Sequence, residues 1–244
     1  MCAVEAQDMS VRLDGHYALK EITCHVPVGD FLAIVGPNGA GKSTFIKVML
    51  GLLRPTSGSM KLYGLEPRSV PPDWIGYVPQ FKTMDLTFPA QCVELVISRI
   101  RRRWPWSSLR KDRATAIAAL EKVGAAHLAE RQINALSGGE LQRVFLACGL
   151  VRSPRLIIMD EPATGMDIIG QKSLYQTLEE YRKETGATIV MVTHDWGIAG
   201  HHATYVLVLN SALISFGPPA EALQNKHLRR AYGHVGHPML PGME

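Results

Sequence analysis

The feature that most constrains this chain is a glycine-rich segment that reads Gly36-Pro37-Asn38-Gly39-Ala40-Gly41-Lys42-Ser43-Thr44. It follows an apolar run, Phe31 to Val35, which is typical of a buried parallel strand, and it opens a helical pattern that reaches about Leu50. Glycines at this spacing let backbone N–H groups curl around a phosphate, and the helix start adds the positive end of its dipole. The pattern predicts a loop that binds a nucleoside triphosphate, with Lys42 on the β- and γ-phosphates and Ser43 on Mg²⁺. A chance glycine turn would not explain the flanking strand and helix.

A triphosphate site also requires a carboxylate for the metal at the end of a neighbouring strand. The apolar run Leu156-Ile157-Ile158-Met159 is followed directly by Asp160 and Glu161. Asp160 is predicted to hold Mg²⁺ through water, and Glu161 to polarise the attacking water as a general base. A strand that merely ends in a solvated acidic turn is the simpler alternative, but the phosphate loop already requires such a pair.

Composition limits the class of protein but does not identify its activity. The 244 residues are 46% hydrophobic and 20% charged, which suits one globular domain with room for a subdomain. A net charge of +4 is compatible with a phosphate ligand or an anionic surface and demonstrates neither. The scattered cysteines predict neither a disulfide framework nor a thiolate metal site. The N-terminus carries Glu5 and Asp8 and lacks a basic start followed by an apolar stretch, so we expect no secretory signal. We expect no membrane helix either, because no apolar run approaches ~20 residues, so other chains would supply any membrane-spanning part.

The order of apolar patterns predicts an α/β fold with a largely parallel sheet. Residues 1–80 and 154–225 are predicted to form the nucleotide-binding core, with strand patterns from Phe31 onward. In this core Thr56-Ser57-Gly58 predicts a turn and residues 205–216 predict a hairpin. Residues 81–153 have a mostly helical pattern, in which Asp112 is a candidate N-cap. The polar tail, 226–244, is expected to be loosely ordered.

A second glycine segment, Leu136-Ser137-Gly138-Gly139-Glu140-Leu141-Gln142-Arg143, separates this chain from other phosphate-loop proteins. Ser137 is a predicted N-cap of a helix that runs to about Leu150, and the two glycines leave its first-turn N–H groups open to an anion. A capping box between Ser137 and Glu140 is the purely structural interpretation, and both can hold together. Three further motifs accompany it: Val78-Pro79-Gln80, Ala163-Thr164-Gly165-Met166-Asp167 and Val192-Thr193-His194-Asp195.

Together these motifs resemble those of the ABC ATPase family, in the family's order and with similar gaps, over about residues 10 to 220. The resemblance implies a P-loop NTPase (RecA-like) core with an antiparallel β portion and a helical subdomain, all in one ABC ATPase domain. It implies a homodimer in which the Ser-Gly-Gly helix tip of one copy faces the γ-phosphate held by the other. Gln80 would contact Mg²⁺ or the attacking water and link the site to a membrane partner. His194 would bind the γ-phosphate, although a lone histidine at a strand end is otherwise structural.

Two positions depart from the family pattern. Glu140 stands where the family more often has Gln, so it places negative charge near the nucleotide and is expected to weaken its affinity slightly. In the family an aromatic residue usually stacks on adenine, and its position falls near Leu13 in this chain. Tyr17 is a nearby substitute, although a core tyrosine is the simpler interpretation.

A basic segment with interleaved tryptophans is the strongest local charge feature. It comprises Arg99, Arg101, Arg102, Arg103, Trp104, Trp106, Arg110, Lys111 and Arg113. Such a segment suits nucleic acid, and a solvated loop is the simpler alternative. The family resemblance places it in the helical subdomain that faces the membrane subunits, so we expect contact with anionic lipid or a coupling surface and no nucleic acid partner.

The motif forms resemble those of the metal-importing branch of the family, whose cargoes are zinc, manganese and chelated iron. The resemblance rests on Thr87-Phe88-Pro89, on Val93-Glu94-Leu95-Val96 and on the Thr-Gly-Met-Asp motif. The histidines match no standard ligand spacing and are expected at the surface: His201, His202, His227, His234 and His237.

The expected function is therefore that of an ATP- and Mg²⁺-dependent subunit of a metal importer, at the cytoplasmic face of the membrane. Its partners would be integral membrane permease subunits and an extracytoplasmic substrate-binding protein. Another cargo, an exporter or a soluble non-transport ABC protein are the alternatives. The family's repair members carry a long coiled-coil insertion and its translation members two ATPase domains, and this chain has neither. A GTPase would need N-K-x-D, and Asn225-Lys226-His227-Leu228 lacks the aspartate.

Overall fold

The computed structural model describes residues 1–80, 89–100 and 109–233. The chain divides into two compact units: Met1–Val70 together with the chain from Thr188 onward, and Pro71–Ala187. The strands are β1 (Cys2–Leu13), β2 (His16–Pro27), β3 (Phe31–Val35), β4 (Ser57–Leu62), β5 (Ile75–Val78), β6 (Leu156–Asp160), β7 (Thr188–Val192), β8 (Tyr205–Asn210) and β9 (Ala212–Gly217). The helices are α1 (Lys42–Met49), α2 (Cys92–Ile100), α3 (Leu109–Lys122), α4 (Gly138–Leu150), α5 (Ile168–Thr185), α6 (Trp196–His202), α7 (Pro219–Ala222) and α8 (Asn225–Tyr232).

The first unit is built on a mixed sheet with the strand order β4-β1-β2-β9-β8-β3-β7. Its central strand β3 is parallel to both β7 and β8. All residues of β3 and β7 are buried, as expected of strands covered on both faces. The predicted hairpin is confirmed as the antiparallel pair β8 and β9. The predicted α/β class with a parallel core and an antiparallel β portion is therefore confirmed.

The antiparallel portion is longer than the sequence patterns predict. β1 pairs with β2 and with β4, and the turn predicted at residues 56–58 is wrong because Ser57 and Gly58 begin β4. Gly58 has φ +71, and a Cβ there would lie 2.3 Å from the carbonyl oxygen of Asp8. The glycine thus marks an irregular point in a continuing strand pair rather than the end of a strand.

The second unit contains the parallel pair β5 and β6 and the helices α2 to α5. The apolar residues of α4, among them Val144, Phe145 and Ala147, are buried. Asp112 is buried within α3 rather than capping it, so that N-cap prediction is wrong. The predicted helical subdomain, 81–153, falls inside this unit, and its boundaries stay a prediction.

The C-terminal part of the chain is more regular than its polar composition indicates. Residues 225–232 form α8. Its Ala231 is buried, and the carbonyl of Ala231 accepts a hydrogen bond from Nδ2 of Asn210 at 3.0 Å. Tyr232 packs edge-on against Trp196, with ring centroids 4.9 Å apart. The expectation of a loose tail from 226 is therefore wrong up to Tyr232, and residues 234–244 lie outside the described part. Nowhere in the described ranges is a helix both long and apolar enough to cross a membrane.

Candidate functional site

The glycine-rich loop connects the end of β3 to the start of α1, as predicted. A Cβ on Gly36 would lie 2.2 Å from the carbonyl oxygen of Leu209, so only glycine fits where the loop passes β8. Gly41 has φ +93, and a Cβ there would lie 2.4 Å from the carbonyl oxygen of Ala18. The backbone of Ser211 donates to the carbonyl of Ala40 at 3.0 Å. The loop is thus held by its neighbours in a shape that side chains would prevent.

Lys42 folds back over this loop and is only 7% exposed. Its Nζ donates to the carbonyl oxygens of Gly36, at 2.7 Å, and Pro37, at 2.8 Å. These two hydrogen bonds position the ammonium over the loop. The first turn of α1 contains no acidic residue, and Ser43 and Thr44 follow Lys42 in it. A backbone cradle, a helix start and a positioned ammonium together fit a phosphate ligand.

His194 belongs to the same unit and follows β7. Because β7 is parallel to β3, His194 and the phosphate loop both follow the carboxyl ends of adjacent strands. The histidine is exposed, and the next residue, Asp195, caps α6 by accepting from the backbone of Ile198 at 3.0 Å. His194 therefore lies at the sheet edge where ligands bind in open α/β folds.

The acidic pair is located at the end of β6 in the second unit, where the sequence predicts it. Nε2 of Gln80 donates to Oε2 of Glu161 at 2.9 Å, and Oγ1 of Thr164 donates to the same oxygen at 3.3 Å. Glu161 has φ +49, a left-handed conformation that few residues other than glycine adopt. Such strain is most often kept where a side chain must be aimed. Asp160 precedes it, and burial together with the charge of Asp160 raises the pKa of Tyr77 on β5.

The Ser-Gly-Gly segment, also in the second unit, forms the start of α4. Ser137 is the N-cap, and its capping box with Glu140 is confirmed. Oε2 of Glu140 accepts from both the backbone N and the Oγ of Ser137, each at 2.8 Å. These hydrogen bonds, the backbone one foremost, lower the pKa of Glu140. A Cβ built on Gly139 would lie 3.9 Å from Cε of Met166, so the 163–167 segment lies beside the tip of α4.

Comparison with known proteins identifies the family of these motifs. A family model described as ABC transporter matches residues 19–164. The chain belongs to the ABC transporter family. It is 38% identical to the zinc import ATP-binding protein ZnuC of Yersinia enterocolitica, over 96% of this chain and 86% of that protein. It is also 38% identical to the manganese transport system ATP-binding protein MntB of Bacillus subtilis, over 96% of this chain and 93% of that one.

Solved structures agree with this place in the ABC transporter family. The structure of cbiO1 from Clostridium perfringens, part of the ABC transporter complex cbiONQ, superposes with a TM-score of 0.78 at 29% identity, covering 94% of this chain and 93% of that chain. The dimeric structure of MJ0796, a bacterial ABC transporter cassette, superposes with a TM-score of 0.76 at 25% identity, over 88% and 98%. The predicted fold class is thereby confirmed.

The expected core position of Tyr17 is wrong. In this ABC transporter protein Tyr17 is 47% exposed, and the guanidinium of Arg12 lies 5.0 Å from its ring centroid. Leu13 is 40% exposed. Arg12 and Tyr17 are paired across β1 and β2, so the aromatic face is already in contact with a cation.

Some residues of the branch motif, the basic segment and the histidine set fall outside the described residues: Thr87, Phe88, Arg101, Arg102, Arg103, Trp104, Trp106, His234 and His237. Of the described basic residues, Arg113 is exposed and pairs with Glu130. Within the described part of the chain, no group of three or more His, Cys, Asp or Glu side chains is placed to hold a metal.

Sequence patterns predict the Ser137–Glu140 pair but missed other partners of the site residues. Thr164 lies within the recognised 163–167 motif, but nothing in the motif predicts its bond to Glu161. Arg131, whose Nη1 donates to Oε1 of Glu140 at 3.0 Å, lies in an irregular segment between recognised motifs. Because the path of that irregular segment brings it to Glu140, only the folded chain identifies it.

Proposed function

We propose that this protein is the ATP-hydrolysing subunit of a membrane importer for zinc, manganese or a metal chelate, and that two copies close over ATP to energise transport. The observation that carries the ATP assignment is the phosphate loop, with the Lys42 ammonium held by two carbonyls of its own backbone. Family membership and the names of the zinc and manganese relatives support the rest.

The residues assigned to ATP are those of the loop and of the α1 start. Loop N–H groups and Lys42 bind the phosphates, since glycine frees the backbone and a lysine ammonium donates hydrogen bonds to phosphate oxygens. Ser43, Asp160 and Gln80 are the residues that would hold Mg²⁺, which would neutralise charge on the phosphate oxygens. Hard oxygen ligands of this kind suit that ion.

Hydrolysis is assigned to Glu161, with Gln80 and His194 assisting. A carboxylate can accept the proton of a water that attacks the γ-phosphate, and such a general base contributes about 10²- to 10⁴-fold to the rate. Gln80 and Thr164 both hold Oε2 of Glu161, which fixes the direction of the carboxylate. His194 would donate a hydrogen bond to the phosphate and orient the water.

The dimer assignment rests on the tip of α4. The segment Ser137 to Glu140 would bind the γ-phosphate held by the second copy, because a helix N-terminus attracts anions. A solved cassette of the family is described as dimeric, which supports this arrangement. The exposed Ile168 and Ile169, next to the 163–167 motif, are consistent with burial on closure.

Transport requires further chains. Integral membrane permease subunits would supply the channel, with this protein bound to them at the cytoplasmic face, and an extracytoplasmic substrate-binding protein would deliver the cargo. The basic residues near α3 would contact the permease or anionic lipid. Metal cargo is inferred from the zinc and manganese relatives.

The test is ATP-dependent metal uptake by vesicles that hold this protein with its permease. We expect zinc or manganese uptake that requires ATP and is lost with Glu161→Gln, while ATP binding is kept. Uptake that continues at the wild-type rate with Glu161→Gln would contradict the general-base assignment. ATP-dependent movement of another cargo, with no zinc or manganese uptake, would contradict the metal assignment alone.

A further inference from the structure

Arg131 joins the beginning of α2 to the tip of α4. Its backbone carbonyl accepts from the backbone N of Cys92 at 3.0 Å and from the Sγ of Cys92 at 3.1 Å. Its side chain extends to the α4 tip, where Nη1 donates to Oε1 of Glu140 at 3.0 Å and Nη2 to the carbonyl of Ala135 at 2.9 Å. One residue therefore fixes the segment before Ser137 and the carboxylate after it.

The hydroxyl of Ser137 has only one proton to give. An ionised carboxylate accepts hydrogen bonds and donates none, so the contact of 2.8 Å between Oγ of Ser137 and Oε2 of Glu140 uses that proton. The lowered pKa of Glu140 is consistent with an ionised carboxylate at neutral pH. Phosphate oxygens also accept, so Ser137 cannot donate to a phosphate and to Glu140 at once.

The charge of Glu140 raises a second difficulty for an anion at this tip. A carboxylate within the first turn of α4 repels a polyphosphate that is bound at the tip of the same helix. When Ser137 turns to the phosphate, Glu140 also loses one of its hydrogen bonds. Arg131 is bound to the other oxygen of that carboxylate, Oε1. The positive charge of Arg131 and its hydrogen bond to Glu140 therefore remain when the Ser137 hydroxyl turns to the phosphate.

We propose that Arg131 is a positioning residue of the shared ATP site. It neutralises and holds Glu140, so that the Ser137 hydroxyl can exchange its hydrogen bond to Glu140 for one to the γ-phosphate of the opposing copy. This inference rests on the proposed function. A family member with Gln at this position would have no charge to neutralise, so the need for Arg131 follows from Glu140.

A purely structural role makes a different prediction. The side chains of Arg131 and Glu140 are 48% and 29% exposed, and ion pairs this open contribute little to folding stability. Removing the guanidinium should therefore leave the melting temperature nearly unchanged. The effect should appear in dimer closure and hydrolysis, and only while position 140 carries a charge.

The experiment is a double-mutant cycle of Arg131→Gln and Glu140→Gln in the full-length protein, with Arg152→Gln as the matched control. Like Arg131, Arg152 lies in the second unit, pairs with a carboxylate and donates to a backbone carbonyl, but its partners, Asp73 and Ile100, lie outside the α4 tip. The readouts are steady-state kcat and KM for ATP, the affinity of a fluorescent ATP analogue, and the melting temperature.

We expect Arg131→Gln to lower kcat about tenfold when Glu140 is present and less than about twofold when position 140 is Gln, a coupling typical of residues in one network. Analogue affinity and melting temperature should stay at wild-type values, Arg131→Lys should restore part of the rate, and Arg152→Gln should leave kcat unchanged. Equal losses in both backgrounds, or no loss at all, would overturn the role of Arg131 and leave the proposed function intact. A wild-type protein that neither binds nor hydrolyses ATP would contradict both.

Discussion

Gln80 donates a hydrogen bond of 2.9 Å to Oε2 of Glu161, so two residues from separate sequence motifs meet at the carboxylate assigned to catalysis. Glu161 also has a left-handed backbone, φ +49, directly after β6. The amide and the backbone therefore both constrain where the carboxylate points.

Replacing Gln80 by Ala should lower ATP hydrolysis about tenfold with little change in ATP affinity, because loss of a positioning contact disturbs the transition state more than binding. The matched control is Gln176→Ala. Gln176 donates to Glu180 at 2.9 Å on the exposed side of α5. The control substitution therefore removes the same kind of hydrogen bond outside the site. Separate measurement of kcat and KM distinguishes the two. An unchanged kcat for Gln80→Ala would show that the contact has no catalytic role.

Replacing Lys42 by Ala should weaken ATP binding about 10- to 100-fold, the range for a charge-assisted hydrogen bond to an anion. Lys47→Ala is the control, because Lys47 is an exposed lysine in the last turn of the same helix. Titration calorimetry gives both affinities. Equal ATP affinity for the two variants would count against the phosphate-loop assignment.

Gly36→Ala should destabilise the fold by about 2 kcal/mol, because its Cβ would meet the Leu209 carbonyl oxygen at 2.2 Å and backbone must move. Gly64→Ala is a contrasting control, since its Cβ would meet nothing within 4 Å and only its φ of +81 is unfavourable. That conformation costs about 1 kcal/mol for alanine. Urea unfolding with and without ATP measures both changes. A Gly36→Ala protein that is as stable as wild type would show that the close approach does not limit this position.

Ser137→Arg should abolish hydrolysis while each single copy still binds ATP, because a bulky side chain at the α4 tip obstructs the opposing copy. Ser137→Ala is the milder comparison, and it should lower the free energy of unfolding by about 1 kcal/mol because α4 loses its N-cap. Fluorescent nucleotide binding and phosphate release are the measurements. A fully active Ser137→Arg protein would exclude a site shared between two copies.

The local motifs could be predicted because each combines a turn with a periodic element. β3 with its loop, the acidic end of β6 and the Ser137 capping box all follow from contiguous residues. β1 and β2 were not predicted, because register irregularities and positive φ values at Asp8 and Glu21 interrupt their alternation. α8 was missed because its polar composition hides the buried Ala231.

Contacts that depend on the path of irregular segments could not be predicted. Nothing in the sequence pairs Arg131 with Glu140 or Gln80 with Glu161, since each contact depends on how loops return to the same place. Asp112 illustrates the opposite failure: a good N-cap residue lies inside α3, where the burial of its side chain overrides local preference.

The decisive measurement is the mass of the Glu161→Gln protein in solution by light scattering, without nucleotide and with saturating ATP and Mg²⁺. Blocked hydrolysis should hold the closed state, so we predict a single-copy mass without nucleotide and twice that mass with ATP. Adding Ser137→Arg to the same protein should return it to the single-copy mass. A Glu161→Gln protein that binds ATP yet keeps the single-copy mass, even with its membrane partner supplied, would contradict ATP-driven closure of two copies.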